Sequence, residues 1–96
     1  MYGTVARLRV KPGMTEQLEA LSREWQSMTS AGLVSSTLYR MDADPNEVYL
    51  AVVFQDRESY RKNAEDSETD ALYRRMREML DADPEWHDGE VIASAF

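Results

Sequence analysis

The chain has 96 residues, a net charge of −7, one histidine and no cysteine. That acidic balance argues against a protein that grips a phosphate backbone. Without cysteine there is no disulfide framework, no thiolate nucleophile and no thiolate metal ligand.

A chain of this length forms one small domain, residues 1–96. It buries only roughly 60–65% of its unfolded surface, so self-association is expected. Residues 1–10, MYGTVARLRV, lack the charged-then-apolar order of a signal peptide. No apolar run approaches the ~20 residues of a membrane-spanning helix. These features predict a cytoplasmic protein with neither nucleic acid nor membrane as partner.

Alternation predicts a first strand from Tyr2 to Val10, with Ala6, Leu8 and Val10 on one face and Arg7 and Arg9 on the other. Lys11-Pro12-Gly13 is turn chemistry. Met14, Leu18, Leu21, Trp25 and Met28 then recur at helical spacing, with Thr15 placed to cap the helix and Gly32 to end it or its loop. Leu33–Met41 and Val48–Phe54 read as two strands joined through the turn formers of residues 42–47. A helix starts near Asp56, and a second is capped at Asp66 or Ser67 with Leu72, Met76, Met79 and Leu80 as its buried stripe.

Pro84 cannot continue that helix, and Asp88-Gly89 is strong turn chemistry. Residues 83–89, DPEWHDG, are therefore expected to turn the chain into a last strand, Glu90–Phe96. Trp86 would pack over the helix end or barrel rim. His87, the lone histidine, would sit in the turn without a relay partner.

The order β-α-β-β-α-α-β predicts an α+β, ferredoxin-like sandwich. Helices cover one sheet face in such a fold. Yet the third strand is apolar on both faces, with Val48, Leu50, Val52 and Phe54 against Tyr49, Ala51 and Val53. The last segment is similar. With no chain left to cover the second face, another copy should do so, which predicts a homodimer.

Several patterns exclude other chemistry. Asp42, Asp44 and Asn46 mimic the start of a calcium loop, but Glu47 stands where the loop needs glycine and Val53 where it needs Glu. No His/Asp/Glu cluster has transition-metal spacing, so no metal is expected. The basic run Tyr73–Arg77 is flanked by acids at helical spacing and reads as a solvated, paired helix face.

VKPG before a Leu-striped helix, then GLVSSTLYR, then FQDRESYRKNAEDSETDALYRRM, together resemble the antibiotic biosynthesis monooxygenase-like proteins of the dimeric α/β-barrel superfamily. The likeness runs from about Tyr2 to Ile92. It implies a ferredoxin-like monomer whose sheet closes a barrel with a second copy. It also implies one of several activities: cofactor-free oxygenation of aromatic polyketides or quinols, haem degradation, or none known.

The haem-degrading pattern does not fit. Its Asn, Trp and His fall near Ala6, Asn63 and Tyr73, leaving no axial imidazole. The cofactor-free pattern fits better, because Asn63 and Tyr73 match two of its pocket residues. An amide can hold an enolate oxygen, and a phenol can orient the ring or relay a proton. Its tryptophan is not evident at the matching place, and Phe54 stands where relatives often carry Trp.

The resemblance thus implies a cofactor-independent monooxygenase acting on a small electron-rich aromatic, with Asn63 and Tyr73 catalytic. Phe54, Tyr60 and Arg7 would contact substrate, though Arg7 and Arg9 could equally pair with acids. The alternative is a non-catalytic dimer of the same fold that binds a small ligand or serves a stress response.

Overall fold

The computed structural model describes residues 1–28 and 31–95. Its elements are β1 (Tyr2–Arg9), α1 (Thr15–Met28), β2 (Leu33–Arg40), β3 (Glu47–Phe54), α2 (Arg57–Glu65), α3 (Ser67–Glu78) and β4 (Glu85–Glu90). The strands form one antiparallel sheet in the order β2-β3-β1-β4. Four antiparallel strands in this order with three helices make the expected α+β, ferredoxin-like fold.

Strand alternation assigns each side chain to a face. Ala6 and Leu8 of β1 and Val48 of β3 meet Leu18 of α1, with Val10 and Leu80 closing the end of this core. The other face carries Val5, Arg7 and Arg9 of β1 with Tyr49, Ala51 and Val53 of β3. There Val5 is 49% and Tyr39 of β2 54% exposed. Large apolar side chains do stand uncovered on the second face of the lone chain.

That face is not wholly apolar. Arg7 ion-pairs with Glu47 across one strand and with Glu85 across the other, at 2.6 Å for the latter. The Glu47 contact, then Glu85, raise the guanidinium's pKa further, so Arg7 stays charged.

Local chemistry explains the helix ends. Leu18 donates its N–H to Met14 O at 3.0 Å. Met14, not Thr15, therefore holds the cap position, and Thr15 opens the first turn. Gly32 takes a left-handed φ of 82°, and a Cβ there would lie 2.5 Å from Ser59. Only glycine fits this close approach between the β2 entrance and α2.

Asp56 caps α2 by accepting the Ser59 N–H at 2.7 Å. Asp66 serves two helices. Its N–H donates to Asn63 O at 3.2 Å, ending α2, and its carboxylate accepts from Glu68 N and Thr69 N, starting α3.

The C-terminal region departs from expectation. The last strand is Glu85–Glu90, not Glu90–Phe96. Arg7 through Tyr2 pair in order with Glu85 through Glu90. Val91 adds one bond to Met1 O at 2.9 Å. Val91–Ala95 carries no regular structure, while Phe96 lies outside the described residues. His87 is accordingly a strand residue opposite Val5, not a turn residue. Met28, expected on the buried stripe, is 43% exposed at the end of α1.

Among the described residues, no helix is long and apolar enough to cross a membrane. The residues that mimic a calcium loop close a turn instead. Asp44 Oδ1 accepts the Asn46 N–H at 2.9 Å, and its other carboxylate oxygen pairs with Arg9 at 3.4 Å.

Candidate functional site

Between the helices and the sheet lies a cavity of about 470 Å³, within the range of small-molecule sites. Its sheet wall is Leu8, Leu38, Leu50, Val52 and Phe54, and its helix wall includes Leu18, Leu21, Trp25, Leu72 and Met76. Such a wall offers mainly apolar contacts. The polar groups are few: Thr4, Ser22, Tyr60, Asn63, Thr69, Asp70, Tyr73 and Asp88.

Asn63 sits in the last turn of α2 and Thr69 in the first turn of α3, brought together by the shared cap at Asp66. The Thr69 hydroxyl donates to Asn63 Oδ1 at 3.2 Å. That bond occupies the amide's acceptor and leaves the Asn63 NH₂ group as a donor at the cavity wall.

Tyr73 lies on α3, one residue beyond buried Leu72, and meets Trp86 of β4 with ring centroids 6.2 Å apart and planes at 43°. Together the two rings form an aromatic corner of the cavity.

Tyr60 stands edge-on to both Phe54 and Tyr2, at 5.8 and 5.3 Å between centroids. Its hydroxyl donates to Asp88 Oδ1 at 2.8 Å. Burial and then the Asp88 hydrogen bond push its pKa up to about 12. Spectrophotometric titration should therefore find one of the five tyrosines ionising about two units above the ordinary value of ~10. Asp88→Ala should bring that value down without abolishing the rise due to burial. The linked stability is intact below pH ~10. It is lost as pH climbs through 10–12, where the unfolded chain releases this proton before the folded one does.

A sequence profile described as "antibiotic biosynthesis monooxygenase" matches residues 1–75. The chain belongs to the antibiotic biosynthesis monooxygenase family. No curated protein matches significantly. Solved structures of this family's shape are similar at low identity. A mutant of SnoaB, a cofactor-independent oxygenase of Streptomyces nogalater, superposes with a TM-score of 0.80 at 18% identity, covering 97% of this chain and 94% of that one. Rv0793 of Mycobacterium tuberculosis gives 0.82 at 18% identity over 99% and 98% of the two chains. A Chloroflexus aurantiacus J-10-fl protein named for the same family gives 0.82 at 22% identity over 99% and 96%.

For this member of the antibiotic biosynthesis monooxygenase family, the structure brings Asn63, Tyr73, Phe54 and Tyr60 to one cavity. Arg7 is not with them. It projects from the opposite sheet face, into its ion pairs with Glu47 and Glu85.

Sequence reasoning missed Trp86, Asp88 and Thr4 as cavity residues and placed Trp25 simply in the core. Trp86 and Asp88 follow once β4 is in register, opposite Ala6 and Thr4, whose side chains face the helices. The only advance signal was a period of two within EWHDGE, which sets Trp86 and Asp88 against Glu85 and His87.

Proposed function

We propose that the protein is a cofactor-independent monooxygenase of a small, planar, electron-rich aromatic substrate. The observation that carries this reading is a single apolar cavity holding the Asn63 amide, pinned by Thr69, together with Tyr73 and two tryptophans. The Asn63 NH₂ group donates to the oxyanion of the deprotonated substrate, and Tyr73 orients the ring. Phe54 packs the floor and supports Tyr60.

In the proposed reaction, an activated CH₂ carbon of the substrate loses a proton to give an enolate held by Asn63. The enolate passes one electron to dioxygen. The carbon radical and superoxide combine, forming the C–O bond, and the peroxide takes up a proton. Breaking O–O with loss of the second hydrogen from that carbon leaves a carbonyl and one water. A CH₂ group and O₂ thus become C=O and H₂O, with the substrate supplying all the electrons.

The test is oxygen consumption by purified protein with a panel of hydroxylated anthrones and naphthols, without added metal or flavin. Uptake with formation of the quinone supports the reading. No uptake with any member moves the non-catalytic ligand-binding alternative ahead.

The reading includes a homodimer of one-domain subunits, residues 1–96. Val5 and Tyr39, half exposed on the second sheet face, support it, as does Ile92 at 95% exposure. Burying such side chains is worth ~1.5–3 kcal/mol each, large for so small a chain. Sedimentation at micromolar concentration should give the mass of two chains. A folded monomer there would sink the dimer.

A further inference from the structure

We propose that the cavity selects an aromatic ligand bearing a protonated amine and turns away one bearing a carboxylate, with Asp88 as the residue that reads the charge. Two charged residues line the cavity, Asp70 and Asp88, and both are acidic. No Lys, Arg or His stands with them among the described residues. A wall that is otherwise apolar screens charge poorly, so the sign of these groups governs which ligand is held.

The two carboxylates differ in what already holds them. Asp70 pairs with Arg74 at 3.0 Å, one turn along α3, so a cation of the chain already answers its charge. Asp88 has no such cation among the described residues. Its carboxylate accepts the Tyr60 hydroxyl on Oδ1 at 2.8 Å, which leaves Oδ2 free to accept. Tyr60 acts as a positioning residue. Its raised pKa keeps the phenol protonated at neutral pH, so it remains a donor that fixes the carboxylate. Asp88 is exposed at the edge of the cavity, where a ligand can reach it.

Strand register fixes what lies next to that carboxylate. Trp86 and Asp88 are two positions apart on β4 and share one sheet face, roughly 6.5 Å apart along the strand. Trp86 and Tyr73 make the aromatic corner of the cavity. A ligand whose ring lies against that corner brings a short substituent to Asp88 and displaces water from it. The carboxylate then needs a donor in exchange. An ammonium supplies donors and the opposite charge, a neutral hydroxyl supplies a donor only, and a carboxylate supplies neither. The inference rests on the proposed function in that it takes the cavity for an aromatic ligand site. It concerns binding rather than oxidation.

Anthraquinones that share one ring system and differ in charge test it: the 2-aminomethyl compound, protonated at neutral pH, the neutral 2-hydroxymethyl compound, and the 2-carboxylate. All are already quinones, so their binding is read without turnover, by titration calorimetry. The wild type should bind the amine about five-fold more tightly than the alcohol, the upper range for an ion pair open to solvent. It should bind the carboxylate more weakly than the alcohol. High salt should narrow both gaps.

Asp88→Asn, which keeps an acceptor for Tyr60, should bring the amine and the alcohol to equal affinity. Asp42→Asn removes the same unit of charge from an exposed residue outside the cavity and should leave the order intact. The proposal is overturned if the wild type binds all these quinones alike or favours the carboxylate, if Asp88→Asn keeps the preference, if Asp42→Asn erases it as fully, or if none of them binds. The expected order with no oxygen uptake on any hydroxylated anthrone would sink the oxygenase reading alone. Oxygen uptake without that order would sink the charge selection alone.

Discussion

Asn63→Ala should lower turnover of an oxidised aromatic by on the order of 10²–10³, the usual cost of losing one oxyanion donor. The expectation rests on the Thr69 bond, which engages the amide oxygen and leaves the NH₂ group as the donor. Tyr73→Phe keeps the ring against Trp86 and removes only the hydroxyl, so it should cost less. Neither residue is fully buried, and melting temperatures should stay close to wild type. Rates of oxygen uptake under substrate saturation check both. Equal rates for the wild type and Asn63→Ala would remove the amide from the chemistry.

Gly3→Ala should be the most damaging alanine substitution among the four glycines. A Cβ at Gly3 would stand 1.8 Å from the Val52 carbonyl oxygen and 2.8 Å from its carbon. These are backbone atoms of the neighbouring strand, so no rotamer relieves the clash. β1 is hydrogen-bonded on both sides, to β3 and β4, and cannot shift away without breaking one ladder.

We expect a loss of at least about 3 kcal/mol, at the upper end for overpacking. At ~4–8 °C per kcal/mol for a domain of this size, the melting temperature should fall by more than about 12 °C. Gly89 pairs with Gly3 across the same sheet, but a Cβ there meets nothing within 4 Å. Gly89→Ala is the control and should change stability by less than ~1 kcal/mol. Similar thermal curves for the two variants would refute the clash.

The parts of the fold that could be read in advance were those in which neighbours in sequence settle the structure. Asp56 and Asp66 cap helices through residues two or three positions away. Phe54, Tyr60, Asn63 and Tyr73 share a cavity because one strand and two consecutive helices carry them.

β4 was hidden because all six of its residues are exposed and only Trp86 is a large hydrophobe. Its Asp-Gly pair has turn chemistry, and pairing with a strand at the other end of the chain overrides that local preference. Conversely, Val91–Ala95 has the composition of a strand but carries no regular structure. Losing β4 meant losing Trp86 and Asp88 as cavity residues. For Arg7 the alternation correctly assigned the sheet face. Its partners, Glu47 and Glu85, lie 40 and 78 positions away and carry no local signature.

The double cap at Asp66 gives the two ends of the cavity different histories during folding. Asn63 and Thr69 are only six positions apart, so the loop that joins them costs little entropy to close and the elbow can form early. The opposite end joins Thr4 to Asp88, across almost the whole chain, and closes only when β4 docks on the β1 edge. That edge is where amide hydrogens should exchange first. A ligand that touches Asp88 therefore fastens the chain's last strand to the rest of the cavity. It should protect β4 amides from exchange, whereas a ligand held by Asn63 alone would leave them nearly as labile as in the free protein.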